Sequence, residues 1–312
     1  METTVIGVDL GGTKVAAARF DSAGNLLAKE YELLAGATGE AVCDKIIASV
    51  RKVMDAGVTG IGVCVPGIAW SERGTVWAPN IPGWDEFPLR ARLSEAFPGL
   101  TVKIESDRTC YILGEVWKGA AQGCRNAIYL AVGTGIGAGI LLDGRIIHGA
   151  NDIVGATGWM ALKPPYDKEY DACGCFETHA SGNGVGYQAR KALRAATDYR
   201  GPLAAKPVDE ITSRDVFAAY AAGDRLAMAV LDEAVQYWGM GAANLVSLFD
   251  PEKVIFGGGV FGPAVCLIPR IYEEALKWGQ PISMRNVQFC ASAVEGEAAL
   301  CGAACLALKN YE

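Results

Sequence analysis

The stretch Val5-Ile6-Gly7-Val8-Asp9-Leu10-Gly11-Gly12-Thr13-Lys14 decides the reading of this chain. Val5 to Asp9 is a short apolar run with β-branched residues, Gly11-Gly12 is a turn, and Lys14 to Phe20 resumes a strand pattern ahead of Ser22-Ala23-Gly24. With a further strand over Leu26 to Leu33, the order is strand, glycine turn, strand, turn, strand. After Gly119 that order returns. Ala127 to Val132 reads as a strand, Gly133 to Gly137 as a glycine-rich turn, Gly139 to Leu142 as a strand, and Asp143-Gly144 as a tight turn into a strand from Arg145 to His148. The pattern is that of a diverged internal duplication. A third glycine cluster, Gly257-Gly258-Gly259, closes a strand at Val254 to Phe256.

Between these landmarks, Val42, Ile46, Ile47, Val50 and Val53 recur at helical spacing over Glu40 to Met54. Ile61 to Val65 reads as a buried strand closed by Pro66-Gly67, Leu89 to Phe97 as a helix, and Thr101 to Glu105 as a strand. A helix is expected from Asp107 to about Lys118, and others at about Ala180 to Ala196, Ser213 to Ala222 and Asp224 to Phe249. A helix after Pro263, a strand at Val287 to Ala291 and a last helix from about Gly296 complete the reading, with residues 197–212 as the main surface loop.

Glycine lets a turn take positive φ and lets backbone N–H groups approach an anion without a Cβ in the way. One such loop alone is more often a hairpin turn; three, each after a strand and in duplicated order, point instead to a phosphate chain gripped from two sides. Gly-Gly-Thr-Lys is not a Walker loop, because the upstream glycine is missing and a strand pattern follows. Gly133 to Gly137 opens no helix, so it is not a dinucleotide fingerprint either. Asp9, beside the first loop, is either a turn cap or a carboxylate that reaches Mg²⁺, directly or through water. Asp107 is either a helix N-cap or the base that orients and deprotonates an attacking hydroxyl.

The chain has 312 residues, 51% apolar and 20% charged, enough for two domains with separate cores. Its net charge of -7 argues against a nucleic-acid partner. No apolar stretch is long enough to span a bilayer, and the residues after Met1 carry no leader pattern, so a cytoplasmic protein is expected. Eight of the ten cysteines sit in apolar or mixed segments, as reduced buried thiols do, and His148 and His179 are the only histidines.

These motifs together resemble the ROK family (repressors, open reading frames, kinases) of the actin-like ATPase superfamily. The resemblance runs through Val5 to Lys14, Pro66-Gly67, Ala78-Pro79-Asn80 with Trp84, Ser106-Asp107, Gly133 to Gly137, Gly174-Cys175-Phe176-Glu177-Thr178, and Asp250-Pro251 with Gly257 to Gly259. It implies an α/β fold of two actin-like (ribonuclease H-like) domains, with mixed sheets flanked by helices and an ATP and substrate cleft between them. The first domain would comprise residues 1–117 with 297–312 and the second 118–296, the last helix packing back on the first domain. Gly11, Gly12, Thr13, Lys14, Gly133, Thr134 and Gly135 would hold the phosphates of ATP, with Gly257, Gly258 and Gly259 near adenosine and Asp9 serving Mg²⁺. Asp107 would be the base, and Asn80, Ser106 and Glu177 would touch substrate, with Trp159 on the pocket wall. Family likeness also implies a homodimer.

Two departures bear on substrate. Where the family usually has Gly-Glu-Ile-Gly-His, this chain has Gly155-Ala156-Thr157-Gly158-Trp159, so two polar sugar contacts are replaced by a methyl group and an indole. Only Cys173 and Cys175 remain of a cysteine cluster that holds structural zinc with that histidine, and no zinc is expected. The expected function is ATP-dependent phosphorylation of a hydroxyl on a sugar, polyol or sugar-like molecule, other than the standard glucose or N-acetylhexosamine reactions. The alternative is a catalytically silent or regulatory binding protein. A DNA-reading regulator is disfavoured, since the first strand begins within five residues of Met1.

Overall fold

The computed structural model describes residues 3–294 and 296–309. The outermost residues of the expected domains, 1–2 and 310–312, and residue 295 lie outside that range. The chain divides into two compact units, Met1–Arg125 with Gly139–Val154 and Ala293–Glu312, and Asn126–Ala138 with Gly155–Ser292. The first boundary thus falls at residue 125 rather than 117, and residues 139–154 group with unit 1 rather than with the second half of the chain.

In unit 1, β1 (Thr4–Leu10), β2 (Lys14–Asp21) and β3 (Leu26–Leu33) form an antiparallel meander. Helix α1 (Glu40–Val53) leads to β4 (Val58–Val65), then to the small hairpin β5 (Ile68–Trp70) and β6 (Thr75–Trp77), which no periodicity in the sequence announces. Helix α2 (Leu89–Ala96), β7 (Thr101–Ser106) and α3 (Asp107–Lys118) follow. The five-stranded sheet has the order β3-β2-β1-β4-β7, with β1, β4 and β7 parallel. Such strands are buried on both faces, which is why β1 and β4 read as continuous apolar runs rather than alternating ones. One face carries α1 and α2, whose Val42, Ile46, Val50, Leu89 and Leu93 join a core with Ile6, Val8 and Val63.

Helix α10 (Ala298–Leu308) covers β1 and β4 and packs along α3. Its approach is close enough that a Cβ on Gly62 would run into the Ala303 carbonyl, and one on Gly302 into the Cys110 carbonyl. Glycine here is a packing requirement, since backbone meets backbone with no room for a methyl group.

The later half of the chain supplies β8 (Ala127–Val132), β9 (Ile136–Leu142) and β10 (Arg145–Ile146). Helices α4 (Cys175–Ala180), α5 (Gly182–Ala195), α6 (Ser213–Ala221) and α7 (Arg225–Phe249) precede β11 (Lys253–Gly257), α8 (Ile268–Ala275), α9 (Pro281–Asn286) and β12 (Gln288–Ala291). The second sheet has the order β10-β9-β8-β11-β12.

Several expected boundaries move for local reasons. The glycine turn is shorter than read, because Ile136 and Gly137 already belong to β9. The helix read from Ala180 begins at Gly182: Ala180 ends α4, Ser181 is extended, and its hydroxyl caps α5 by accepting from the Gly184 N–H at 2.9 Å. The strand read to His148 stops at Ile146, and His148 turns toward Glu105, its Nε2 lying 3.1 Å from the carboxylate. The loop at 197–212 carries two short 3₁₀ turns. Among the described residues no helix is long and apolar enough to cross a membrane, and no disulfide links the cysteines.

Candidate active site

In unit 1 the C-terminal ends of β1, β4 and β7 lie side by side, with Asp9 registered against Cys64 and Cys64 against Glu105. Ligands of open parallel sheets collect at such strand ends, where loops leave the sheet with unpaired backbone groups. The β1 end carries Asp9 and then Gly11 and Gly12, a turn closed by the Gly11 N–H donating to the Lys14 carbonyl at 2.9 Å. Gly12, Thr13 and Lys14 are exposed.

The β4 end runs into Pro66-Gly67. Gly67 has φ of 124° and abuts the Trp77 carbonyl, so the chain around Ala78 sits against this strand end. The exposed Asn80 rides on the turn that follows. That turn is anchored by Trp84, whose indole N–H donates to the Gly39 carbonyl at 3.0 Å and whose ring stacks on Phe87 at 4.7 Å.

At the β7 end, Ser106 and Asp107 divide two roles the sequence left open. Ser106 is the N-cap of α3, its buried hydroxyl accepting from the Thr109 N–H at 3.5 Å. Asp107 is therefore the first residue of the helix and is not consumed as the cap. Its Oδ1 accepts the Arg108 N–H at 2.8 Å. Burial pushes its carboxyl up to about 6 against the Arg108 charge and the Arg108 N–H, and the nearby Asp9 charge pushes the same way. Asp9 is likewise raised, first by burial, against a hydrogen bond from the Cys64 thiol and the charge of Lys14.

Two supporting residues escaped the sequence reading. The buried Glu105 accepts the Ser106 N–H at 2.8 Å and faces His148, fixing the peptide from which α3 and Asp107 spring. An acidic residue at the end of a buried strand was the available signal. Cys64, read only as an inert buried thiol, stands in register with Asp9 and lowers its carboxyl against the effect of burial; a cysteine inside an apolar strand gives no such signal in advance.

In unit 2, β8 and β11 run parallel, with Ala131 registered against Gly257, so the second glycine turn and the third glycine cluster leave adjacent strand ends. Gly133 donates to the Gly135 carbonyl at 2.9 Å and accepts the Gly182 N–H at 2.7 Å, which ties the turn to the start of α5. Thr134 is exposed. Glu177, on α4, braces the turn from below: its Oε2 accepts the Ile136 N–H at 2.7 Å. Its carboxyl is raised by burial against that hydrogen bond and one from Cys173. Gly258 has φ of 87°, while Gly258 and Gly259 are exposed and Gly257 is buried beside the Tyr129 ring. Trp159 is 58% exposed.

The site residues thus fall into two sets. Asp9, Gly11, Gly12, Thr13, Lys14, Asn80, Ser106 and Asp107 gather in unit 1; Gly133, Thr134, Gly135, Trp159, Glu177 and Gly257 to Gly259 belong to unit 2.

A family model, ROK family, matches residues 5–310. The chain belongs to the ROK family. It is 31% identical over 310 residues to a glucokinase of Halalkalibacterium halodurans, covering 95% of this chain and 92% of that one. Among solved structures, a ROK hexokinase from Thermus thermophilus superposes with a TM-score of 0.80 at 34% identity, covering 97% of each chain. A ROK-family glucokinase from Streptomyces griseus, in complex with glucose and AMPPNP, gives 0.78 at 30% identity, over 97% of this chain and 98% of that one. The fold is the two-domain actin-like α/β fold of these ROK proteins.

Mg²⁺ fits the oxygen donor at the β1 end: the Asp9 carboxylate, destabilised as an anion by burial, gains from a hard cation or its water beside it. A structural zinc does not fit. His179 is engaged by the Tyr170 hydroxyl at 3.1 Å and stacks on Tyr237 at 4.2 Å, while Cys173 faces the Thr178 hydroxyl at 3.4 Å. Among the described residues, no three His, Cys, Asp or Glu side chains are gathered for a metal.

Proposed function

We propose that this ROK chain is an ATP-dependent kinase that phosphorylates a hydroxyl of a sugar or sugar-like molecule, with Asp107 as the general base. The observation that carries the reading is the division of labour at the start of α3. Ser106 caps the helix, which leaves Asp107 with a carboxyl raised to about 6, able to hold a proton and release it near neutrality.

In the proposed reaction the acceptor hydroxyl gives its proton to Asp107 as its oxygen attacks the γ-phosphorus. The bond from that phosphorus to the β-bridging oxygen breaks, and ADP departs. Gly11, Gly12, Thr13 and Lys14 serve the phosphates from unit 1, and Gly133, Thr134 and Gly135 serve them from unit 2, with Gly257 to Gly259 toward adenosine. Mg²⁺, when bound, neutralises charge on the phosphate oxygens, and Asp9 would hold it directly or through water. Asn80 and Glu177 orient the acceptor, Ser106 lines its position, and Trp159 offers it an apolar face. The protein is proposed to act as a cytoplasmic homodimer.

The acceptor is proposed to differ from glucose, N-acetylglucosamine and N-acetylmannosamine. Ala156 and Trp159 offer neither carboxylate nor imidazole, and each ligand hydroxyl desolvated there without a partner would cost about 1–3 kcal/mol. Glucose is the competing substrate, because a relative at 31% identity is a glucokinase. The test is ADP formation with Mg-ATP across hexoses, ketoses, acetylated amino sugars, sugar acids and polyols. A substrate whose kcat/KM exceeds that of glucose at least tenfold is expected; glucose as the best substrate would overturn this proposal. No turnover with any compound, despite ATP binding, would favour the silent binding protein.

A further inference from the structure

Unit 2 contains a cavity of about 590 Å³ formed by residues 159–175, within the range of about 300–1,000 Å³ that small-molecule sites occupy. Its aromatic lining is Trp159, Tyr166 and Tyr170, joined by Leu162, Lys163 and Asp171. Trp159 and Tyr166 are 58% and 71% exposed, so their rings are open to a ligand.

The walls are set in place by what lies behind them. Tyr166 meets Tyr170 edge-on, with ring centres 6.1 Å apart. The Tyr170 hydroxyl is tied to His179 Nε2 at 3.1 Å, the His179 ring lies flat on Tyr237, and its Nδ1 is 3.4 Å from a Glu233 carboxylate oxygen. On the other side Gly174, with φ of 85°, lies directly against the Trp159 Cα, so the indole springs from a fixed backbone. Preceding it is Gly158, where a Cβ would come within 2.9 Å of Glu177 Oε2. The cavity wall thus begins one residue after the backbone that abuts Glu177, the candidate sugar-orienting carboxylate.

Exposed indole and phenol faces fit the C–H face of a pyranose, the exposed Asp171 offers an acceptor to hydroxyls at its edge, and Lys163, 3.8 Å from a Glu233 carboxylate oxygen, keeps further N–H donors for them. An alkyl or aryl substituent would use the rings and leave the Asp171 carboxylate idle. We infer that this cavity receives a second sugar ring, joined to the ring that is phosphorylated, so that the acceptor is a disaccharide. The inference rests on the kinase reading only for the placement of Glu177 beside the acceptor.

The test compares kcat/KM with Mg-ATP for glucose, for α- and β-linked glucose disaccharides, and for phenyl glucosides, in the unmodified chain and in Tyr166→Ala. Tyr166 is exposed, so its truncation leaves the core untouched. At least one disaccharide is expected to exceed glucose tenfold or more, and Tyr166→Ala is expected to reduce that ratio at least fivefold. Ratios near one in both proteins, or a phenyl glucoside that surpasses every disaccharide, would overturn the inference. Calorimetric binding of the same sugars separates the two readings. Disaccharide binding that Tyr166→Ala weakens at least fivefold, without turnover, keeps the second-ring site and removes the kinase. Binding indifferent to Tyr166 removes the site.

Discussion

The two five-stranded sheets have the same order, with β1, β2, β3, β4 and β7 matched in turn by β8, β9, β10, β11 and β12, yet their strand ends carry opposite equipment. The penultimate residue of β1 is Asp9; that of β8 is Ala131. The fifth strand of the first sheet leads into Asp107, that of the second into Ser292. One unit offers carboxylates beside its glycine turn, the other a glycine turn and a glycine cluster with a carboxylate braced beneath. Topology decides where loops emerge, and single residues at the strand ends decide whether carboxylates stand beside the glycine turn.

The comparison breaks most sharply at Asp107. Asp107→Ala is expected to lower kcat by on the order of 10³-fold while leaving affinity for a fluorescent ATP analogue within about twofold. A variant retaining full turnover would remove the base. Asp9→Asn is expected to lower kcat/KM by about 10- to 100-fold and to raise the Mg²⁺ concentration needed for half-maximal rate; an unchanged Mg²⁺ titration would detach Asp9 from the metal.

Glycines in the two turns should respond differently. A Cβ at Gly135 would sit 2.5 Å from Glu177 Oε2 and displace it from the Ile136 N–H, whereas one at Gly12 meets nothing within 4 Å. Gly135→Ala should cost about 1–2 kcal/mol in urea unfolding, and Gly12→Ala less than about 0.5 kcal/mol. Equal effects would mean that the second turn is not braced as described.

The smallest expected effect is on pH. The acid limb of kcat/KM should fall near pH 6, because Asp107 must be ionised to accept a proton and its carboxyl is raised to about 6. For stability the sign is opposite. A carboxyl raised from 3.8 stabilises the folded state fully below pH 3.8, and that contribution is lost as pH rises through about 6. Asp107→Asn should therefore be more stable than the unmodified chain at pH 7 by roughly 1 kcal/mol, the full shift being discounted for partial solvent screening. A variant no more stable at pH 7 would contradict the burial of that charge.

Much of this was legible in the residues. Helix α3 was read from Asp107 to Lys118 because an acidic start, an apolar stripe and a closing Gly119 are local signals. Strand β8 was read from Ala127 to Val132 because a buried parallel strand is an unbroken apolar run. The hairpin of β5 and β6 was not legible, since three-residue strands carry no period and depend on Gly67 meeting Trp77.

By itself, the sequence determined the repeated order of strand and glycine turn, the family, and the candidates Asp9 and Asp107, because these follow from backbone conformations and charges that a few adjacent residues impose. Only tertiary structure decided that Cys64 stands beside Asp9, that Glu105 meets His148 behind Asp107, and that Trp159 lines a cavity with Tyr166 and Tyr170. Those outcomes depend on desolvation and contact between segments far apart in the chain, and no local pattern records them.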